Sequence, residues 1–417
     1  MSKKISFIFL STFFLYALYC VMQLGLTWDI AYHYELGKDR LDYLFSLGSK
    51  VSTNYTKEWN PDKFYPGVYS TISIFFAHFL SKKYIFESIY IINLIFAFLA
   101  VFGIQKISRE FFNKQIGKIT FVICLFNPIF FGHMGINTMD IPMASAYIWF
   151  FYSTIKYLKK QHIYEKKNYY VFYSALALGF VLGIRYSFII MLIPIFLFIF
   201  LEIFFFKILI NKRFSKKVFY IDAAKVLIFA YLMMVLFWPE THPNIFLLPI
   251  KFAIEGLSVP FGAPFTLYNG EILLTHKLPT TYFLVNLFYK LPEFIILSYL
   301  IFFCFFIKVG FYFKKRIKGF YFKIFSILFI LIFPNLLLFV NPWGIYDGIR
   351  LFLYLIPFIC IPPALISFFL YKMIKKNLYK YIFLLLVIFQ IFFLFNFFAL
   401  TPYQYVYLNF FAGKYSE

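Results

Sequence analysis

YPGVYSTISIFFAHFLS, residues 65–81, is the stretch whose reading decides the fold. It is apolar enough for a membrane span but short for one, since a hydrocarbon core of roughly 30 Å needs about 20 helical residues. Whether it crosses sets the side on which every later loop falls. The basic residues arbitrate. If 65–81 lies along the surface, six lysine-rich segments share one side of the membrane. They are Lys3-Lys4, KISREFFNKQIGK (106–118), KYLKKQHIYEKK (156–167), KILINKRFSKK (207–217), KVGFYFKKRIKGFYFK (308–323) and YKMIKKNLYK (371–380). Together they hold 26 of the 40 Lys and Arg residues, with Glu110 and Glu165 as their only acids. If 65–81 crosses, every later cluster inverts, against the tendency of basic loops to stay in the cytoplasm.

Composition agrees with a membrane protein. Of the 417 residues, 62% are hydrophobic and 14% charged, where soluble domains carry about 25% charge. Apolar runs occupy about 5–26, 84–105, 118–132, 141–157, 168–184, 187–206, 222–238, 292–311, 322–340, 351–371 and 380–400. The expected fold is an all-α polytopic membrane protein of about 11 transmembrane helices, forming one domain over 1–417 with no separate soluble part. Its N-terminus is cytoplasmic, its C-terminus lies outside, and its first external loop is long. The opening segment looks like a signal peptide, but no small-residue cleavage site follows, so it reads as an uncleaved first span. The net charge of +22 is explained by basic loops rather than by a nucleic-acid partner. The 66 Phe and 35 Tyr read as lipid-facing filler of an A+T-rich genome. Cys20, Cys124, Cys304 and Cys360 show no CxxC spacing and support neither a zinc site nor a disulfide framework. GFVLG (179–183) matches the GxxxG packing pattern.

The polar residues that stand out gather on the expected outer face. Asp29 follows the first span in TWDIAYHYE, and Asp140 lies in GHMGINTMDIPM (132–143) with His133 and Asn137 close by. Locally, Asp140 reads as a helix N-cap ahead of Ile141-Pro142, and Asp29 as a solvated loop acid. Two carboxylates on one face also suit a reaction in which a hydroxyl loses a proton, one of them serving as general base. His33, Glu35, His133 and His242 are candidate metal partners, but none shows a recognised ligand spacing; a divalent metal is an alternative and the cofactor is unassigned. Arg185 in LGIRYSF and Arg350 in YDGIRLFLYLIP fall on the same face. Either snorkels to lipid headgroups or binds phosphate through its planar fork.

In this arrangement the chain resembles the GT-C membrane glycosyltransferases, which use polyprenyl- or dolichyl-phosphate sugars. They include protein O-mannosyltransferases and aminoarabinose transferases of lipid A. The resemblance rests on Trp28-Asp29 after span 1, on FYPGVYS (64–70) and on NPIFFGHMGINTMDIPMA. WPETHPN (238–244), LYNGE, LPTTYFLVNLFYKLPE, YDGIRLFLYLIP and PYQYVYLN add to it in order and spacing. It implies surface helices in the first loop and an inverting transfer on the outer face. A sugar would pass from a polyprenyl-phosphate donor to a hydroxyl acceptor on a lipid, glycan or protein. It makes Asp29 the catalytic base and Asp140 the second acid, with Arg350 and Arg185 meeting the donor phosphate. His133, Asn137, Tyr346 and Tyr65 are pocket candidates. Thr138-Met139 stand where many relatives carry Pro-Lys, and Leu351 where many carry histidine. The expected location is a bacterial inner membrane, with membrane lipids as partners. The rival reading is a transporter or flippase of a lipid-linked or anionic substrate, which should place polar groups at mid-membrane in two related halves. This sequence concentrates them at one edge.

Overall fold

A computed structural model describes residues 3–50, 61–80, 83–258, 263–268, 270–340 and 345–413. The chain is mostly helical. Its helices are α1 (Lys3–Gln23), α2 (Trp28–Phe45), α3 (Val68–Leu80), α4 (Ile85–Phe111), α5 (Lys114–Leu125), α6 (Pro128–His133), α7 (Asp140–Lys160), α8 (Tyr164–Ile184), α9 (Ile193–Leu201), α10 (Lys216–Leu236) and α11 (Leu248–Ser258). After a hairpin of β1 (Phe265–Tyr268) and β2 (Glu271–Leu274) come α12 (Tyr282–Lys290), α13 (Glu293–Cys304), α14 (Phe306–Lys314), α15 (Phe320–Val340), α16 (Ile356–Ile359), α17 (Ile361–Lys372) and α18 (Asn377–Ala399). The antiparallel hairpin, pairing Phe265 with Leu274, departs from an all-helical expectation.

All eleven apolar runs are largely helical, but fewer have the length of an unbroken span. Among the described residues, six helical stretches are long and apolar enough to cross a membrane. The pair α12–α13, bent by 114°, would make a seventh. The count of about 11 crossings is therefore not confirmed. The breaks have sequence causes. Asn127-Pro128 divides 118–132: proline disfavours helix in the residue before it and then starts α6, while the Asn127 side chain accepts from Phe130 N at 3.2 Å. Asn113 caps α5 in the same way, accepting from Ile116 N at 2.8 Å.

The decisive stretch 65–81 contains α3, of 13 residues. At 1.5 Å per residue it extends ~20 Å, well short of a bilayer core. It packs on α2 so closely that a Cβ at Gly37 would collide with the Ser70 carbonyl. Gly183 makes the equivalent approach to Val68, whereas Gly179 of the same GFVLG faces Met233 of α10. The motif serves two neighbours rather than one helix pair.

Helix direction sorts the charges. Asp140 opens α7, Arg185 follows α8 and Arg350 precedes α16, so all three lie at one end of the bundle. The opposite ends of these elements carry Lys159-Lys160, Lys166-Lys167 and Lys372. There Glu110 is held between Lys156 (2.9 Å) and Lys159 (2.8 Å).

Candidate active site

Two buried polar residues of α4 set the geometry. Tyr90 donates to Gly25 O (3.2 Å) and accepts from Thr27 N (3.1 Å), fixing the turn that launches α2 and Asp29. Three residues on, and so on the same helix face, Asn93 Nδ2 donates to the carbonyls of Met134 (3.0 Å), Gly135 (3.1 Å) and Asn137 (2.8 Å). Its Oδ1 accepts from Tyr69 OH at 3.0 Å. One helix therefore registers both acid-bearing segments.

The N-cap position of α7 is Met139, which makes no side-chain cap; Asn137, not Asp140, bonds the backbone N–H groups that lead into the helix. Asn137 Oδ1 accepts from Asp140 N (2.9 Å) and Met139 N (3.3 Å). Asp140 is the first helical residue, and its carboxylate is free of capping duty. This corrects the local reading of Asp140 as a cap. Its side chain is 1% exposed and must be paired to stay ionised. Asn137 Nδ2 donates to Oδ2 at 3.0 Å, Arg350 Nε approaches the same oxygen at 3.3 Å, and Arg185 lies 3.9 Å from Oδ1.

Arg350 is the hub. Its guanidinium also pairs with Asp29 and reaches Asp347 Oδ2 at 3.3 Å. The reading of Asp29 as a solvated loop acid is thereby corrected to a paired one. The Asp347-Gly348 turn that aims Arg350 is left-handed at both residues, with φ of 54° and 64°. Glycine adopts this freely and aspartate tolerates it better than most. Tyr282 OH accepts from Gly348 N at 2.9 Å and braces the turn from α12. Burial pushes the Asp347 carboxyl above the usual carboxylate range.

Tyr65 and Tyr346 also belong here, since both bear electrostatically on Arg185 beside Asp140. The FYPG segment carrying Tyr65 is anchored by buried Arg40, which donates to the Tyr65 carbonyl and pairs with Glu240 of WPETHPN at 3.2 Å. Trp238 Nε1 donates to Lys63 O at 2.9 Å. Those echoed motifs brace the first loop.

The structure brings Asp29, Asp140, Asn137, Arg185, Arg350, Tyr65 and Tyr346 together. His133 turns instead to the tail, its ring 6.2 Å from that of Tyr405. The four candidate metal residues are dispersed. Glu35 faces Lys38 at 4.0 Å. His242 is engaged by Tyr43 OH (3.2 Å) and Val235 O (2.9 Å). His33 is buried, and burial, reinforced by Arg185 and Arg40, pushes it down to about 3. Among the described residues, no three His, Cys, Asp or Glu side chains are placed to hold a metal ion.

Sequence reasoning missed four contributors. Asp347 stood in view within YDGIR. Tyr90 and Asn93 look like ordinary helix residues. Lys290, in FYKLPE, carries its amine beside the Gly348 turn, 3.9 Å from where a Cβ of that residue would lie, and 3.5 Å from Tyr405 O.

Comparison with known proteins bears on this arrangement. A family model described as dolichyl-phosphate-mannose-protein mannosyltransferase matches residues 66–238, which include Asp140 and Arg185 but not Asp29 or Arg350. No curated protein matches the sequence. Among solved structures, the chain is similar to ArnT from Cupriavidus metallidurans bound to undecaprenyl phosphate, with a TM-score of 0.60 at 10% identity over 88% of this chain. It is also similar to the Archaeoglobus fulgidus oligosaccharyltransferase, with a TM-score of 0.58 at 12% identity over 95% of this chain. The oligosaccharyltransferase AglB from Archaeoglobus fulgidus, in complex with an inhibitory peptide and a dolichol-phosphate, gives 0.53 at 12% identity over 98% of this chain. The chain spans 61% of the length of that ArnT, and 56% and 57% of the two archaeal structures. The resemblance to GT-C membrane glycosyltransferases is thus borne out, by the family model over 66–238 and by the fold over most of the chain.

Proposed function

We propose that this protein transfers a sugar from a polyprenyl-phosphate donor to a hydroxyl acceptor at the outer face of the membrane, with inversion. The observation that carries this reading is Arg350 set between Asp29 and Asp140, two acids from separate segments at one end of the bundle. Asp29, 29% exposed, takes the proton of the acceptor hydroxyl as general base. The hydroxyl oxygen bonds to the anomeric carbon as the carbon–oxygen bond to phosphate breaks. A single displacement of this kind inverts the centre. The donor phosphodiester carries one negative charge, and the departing lipid monophosphate carries about 1.5 to 2. Arg350, Arg185 and Lys290 stabilise that added charge. Asp140, deeply buried, orients Arg350 and Arg185. The donor phosphate competes for Arg350 and so frees Asp29 to act as a base.

The test measures sugar transfer from radiolabelled polyprenyl-phosphate sugars in membranes, for wild type and Asp29→Asn. The variant should lose at least a hundredfold, within the 10²–10⁴ range of a general base. Equal transfer by both would sink the base assignment. Substrate-dependent flux without transfer from any donor would replace the reaction with transport.

A further inference from the structure

The molecule holds a second binding feature, remote from the carboxylates. α5 and α18 meet near one end, where the Phe126 ring lies 5.4 Å from Phe397 and 6.3 Å from Phe398. Away from that contact, a cleft of about 470 Å³ separates the two helices, with α17 as its floor. Lys118 and Val122 line one wall, Leu386 and Gln390 the other, and Ser367 and Tyr371 the floor. That volume is typical of small-ligand sites. From Lys118 to Phe126 the cleft runs ~12 Å along α5, at 1.5 Å per residue. The Ser367 hydroxyl is buried with no hydrogen-bond partner.

Charge identifies the occupant. Lys118 lines the cleft itself; exposed Lys114 opens α5, and exposed Lys372, Lys375, Lys376 and Lys380 lie at the α17–α18 connection. Neither residues 111–139 nor residues 348–413 contain an acid, so nothing there competes for these cations. An apolar slot beneath an unopposed lysine cluster at a bilayer surface suits an anionic lipid. We propose that this cleft binds one acyl chain of an anionic phospholipid, its phosphate held by Lys118 and the neighbouring lysines. The sugar donor is a poor occupant, because its phosphate must reach Arg350 at the opposite end of the bundle. Only this exclusion of the donor rests on the reaction proposed above.

The full-length protein is reconstituted in phosphatidylcholine vesicles containing a trace of diazirine-acyl phosphatidylglycerol or diazirine-acyl phosphatidylcholine. After irradiation, labelled peptides are mapped by mass spectrometry. The phosphatidylglycerol probe should label Ile119–Val122 and Leu386–Gln390 at least fivefold more than the phosphatidylcholine probe. Lys118→Glu should erase that preference, and Val122→Trp should reduce labelling by both. Equal labelling of wild type by the two probes overturns the proposal, and this comparison does not depend on any variant folding. So does a preference that survives Lys118→Glu, or displacement of the label by polyprenyl phosphate at equimolar concentration.

Discussion

Arg350 and Asn137 show how much single side chains decide at this site. Arginine offers a rigid fork of five donors, and Arg350 spreads it over Asp29, Asp140 and Asp347. Lysine keeps the charge but cannot hold three acids at once. Arg350→Lys should therefore lower kcat more than tenfold in the transfer assay, with little change in folding yield. Asn137 performs two separable tasks, bonding the N–H groups that lead into α7 through Oδ1 and steadying Asp140 through Nδ2. Asn137→Ala should cost about 1 kcal/mol from the lost hydrogen bonds, read as a lower Tm in detergent. Asn137→Asp keeps the acceptor and adds a like charge beside Asp140, so it should depress transfer more than it depresses Tm. The acids and arginines were legible in the sequence because charge is scarce in so apolar a chain. Which of two neighbouring Asn and Asp residues bonds the N–H groups leading into the helix was not. Both are good N-caps, and in the fold Asp140 is instead engaged with Arg350, more than 200 residues away in the sequence.

At the scale of elements, α4 acts as the ruler of the site. Tyr90 and Asn93 form one helical step, and each holds a loop that ends in an acid. Asn93→Leu would strand the carbonyls of Met134, Gly135 and Asn137 in a dry interior. It should destabilise the protein by about 1–3 kcal/mol and displace Asp140, lowering both Tm and transfer rate. Tyr90→Phe loses only the hydroxyl and should act through Asp29 alone. Neither residue announced itself in the sequence, since a lone Asn or Tyr in an apolar helix has no periodic signature. The short apolar segment did. The lysines of other loops single out residues 65–81 as the stretch on which the topology turns, and α3, with 13 residues, is shorter than a bilayer core requires. Helix continuity was not legible, because hydropathy ignores the turn forced by Asn127-Pro128 or the 114° bend between α12 and α13.

At the scale of the molecule, charge separates along the bundle axis, with basic loops at one end and the acid–arginine group at the other. If the positive-inside rule orients the chain as expected, Leu47→Cys, at a position 95% exposed in the first loop, should react with impermeant maleimide added to intact cells. Lys315→Cys should react only after permeabilisation, both in a Cys304→Ser background. Acid should weaken the whole fold through His33. Its folded pKa of about 3 lies below the ordinary 6.5, so the fold prefers the neutral ring. The stability this contributes is present above pH ~6.5 and is lost as pH falls toward 3. Tm should drop between pH 6.5 and 4, and His33→Gln should flatten that slope. The asymmetry was legible in the sequence, whereas the assembly of the site was not, because its parts come from six distant segments. Three of those segments hang from two supports: α4 carries the two that bear Asp29 and Asp140, while α12 braces the turn before Arg350. A relative shift of these supports alters the spacing between charges without disturbing either partner's own anchorage. The acids and Arg350 thus occupy one another, and in the proposed reaction a donor phosphate has to compete with carboxylates already in place.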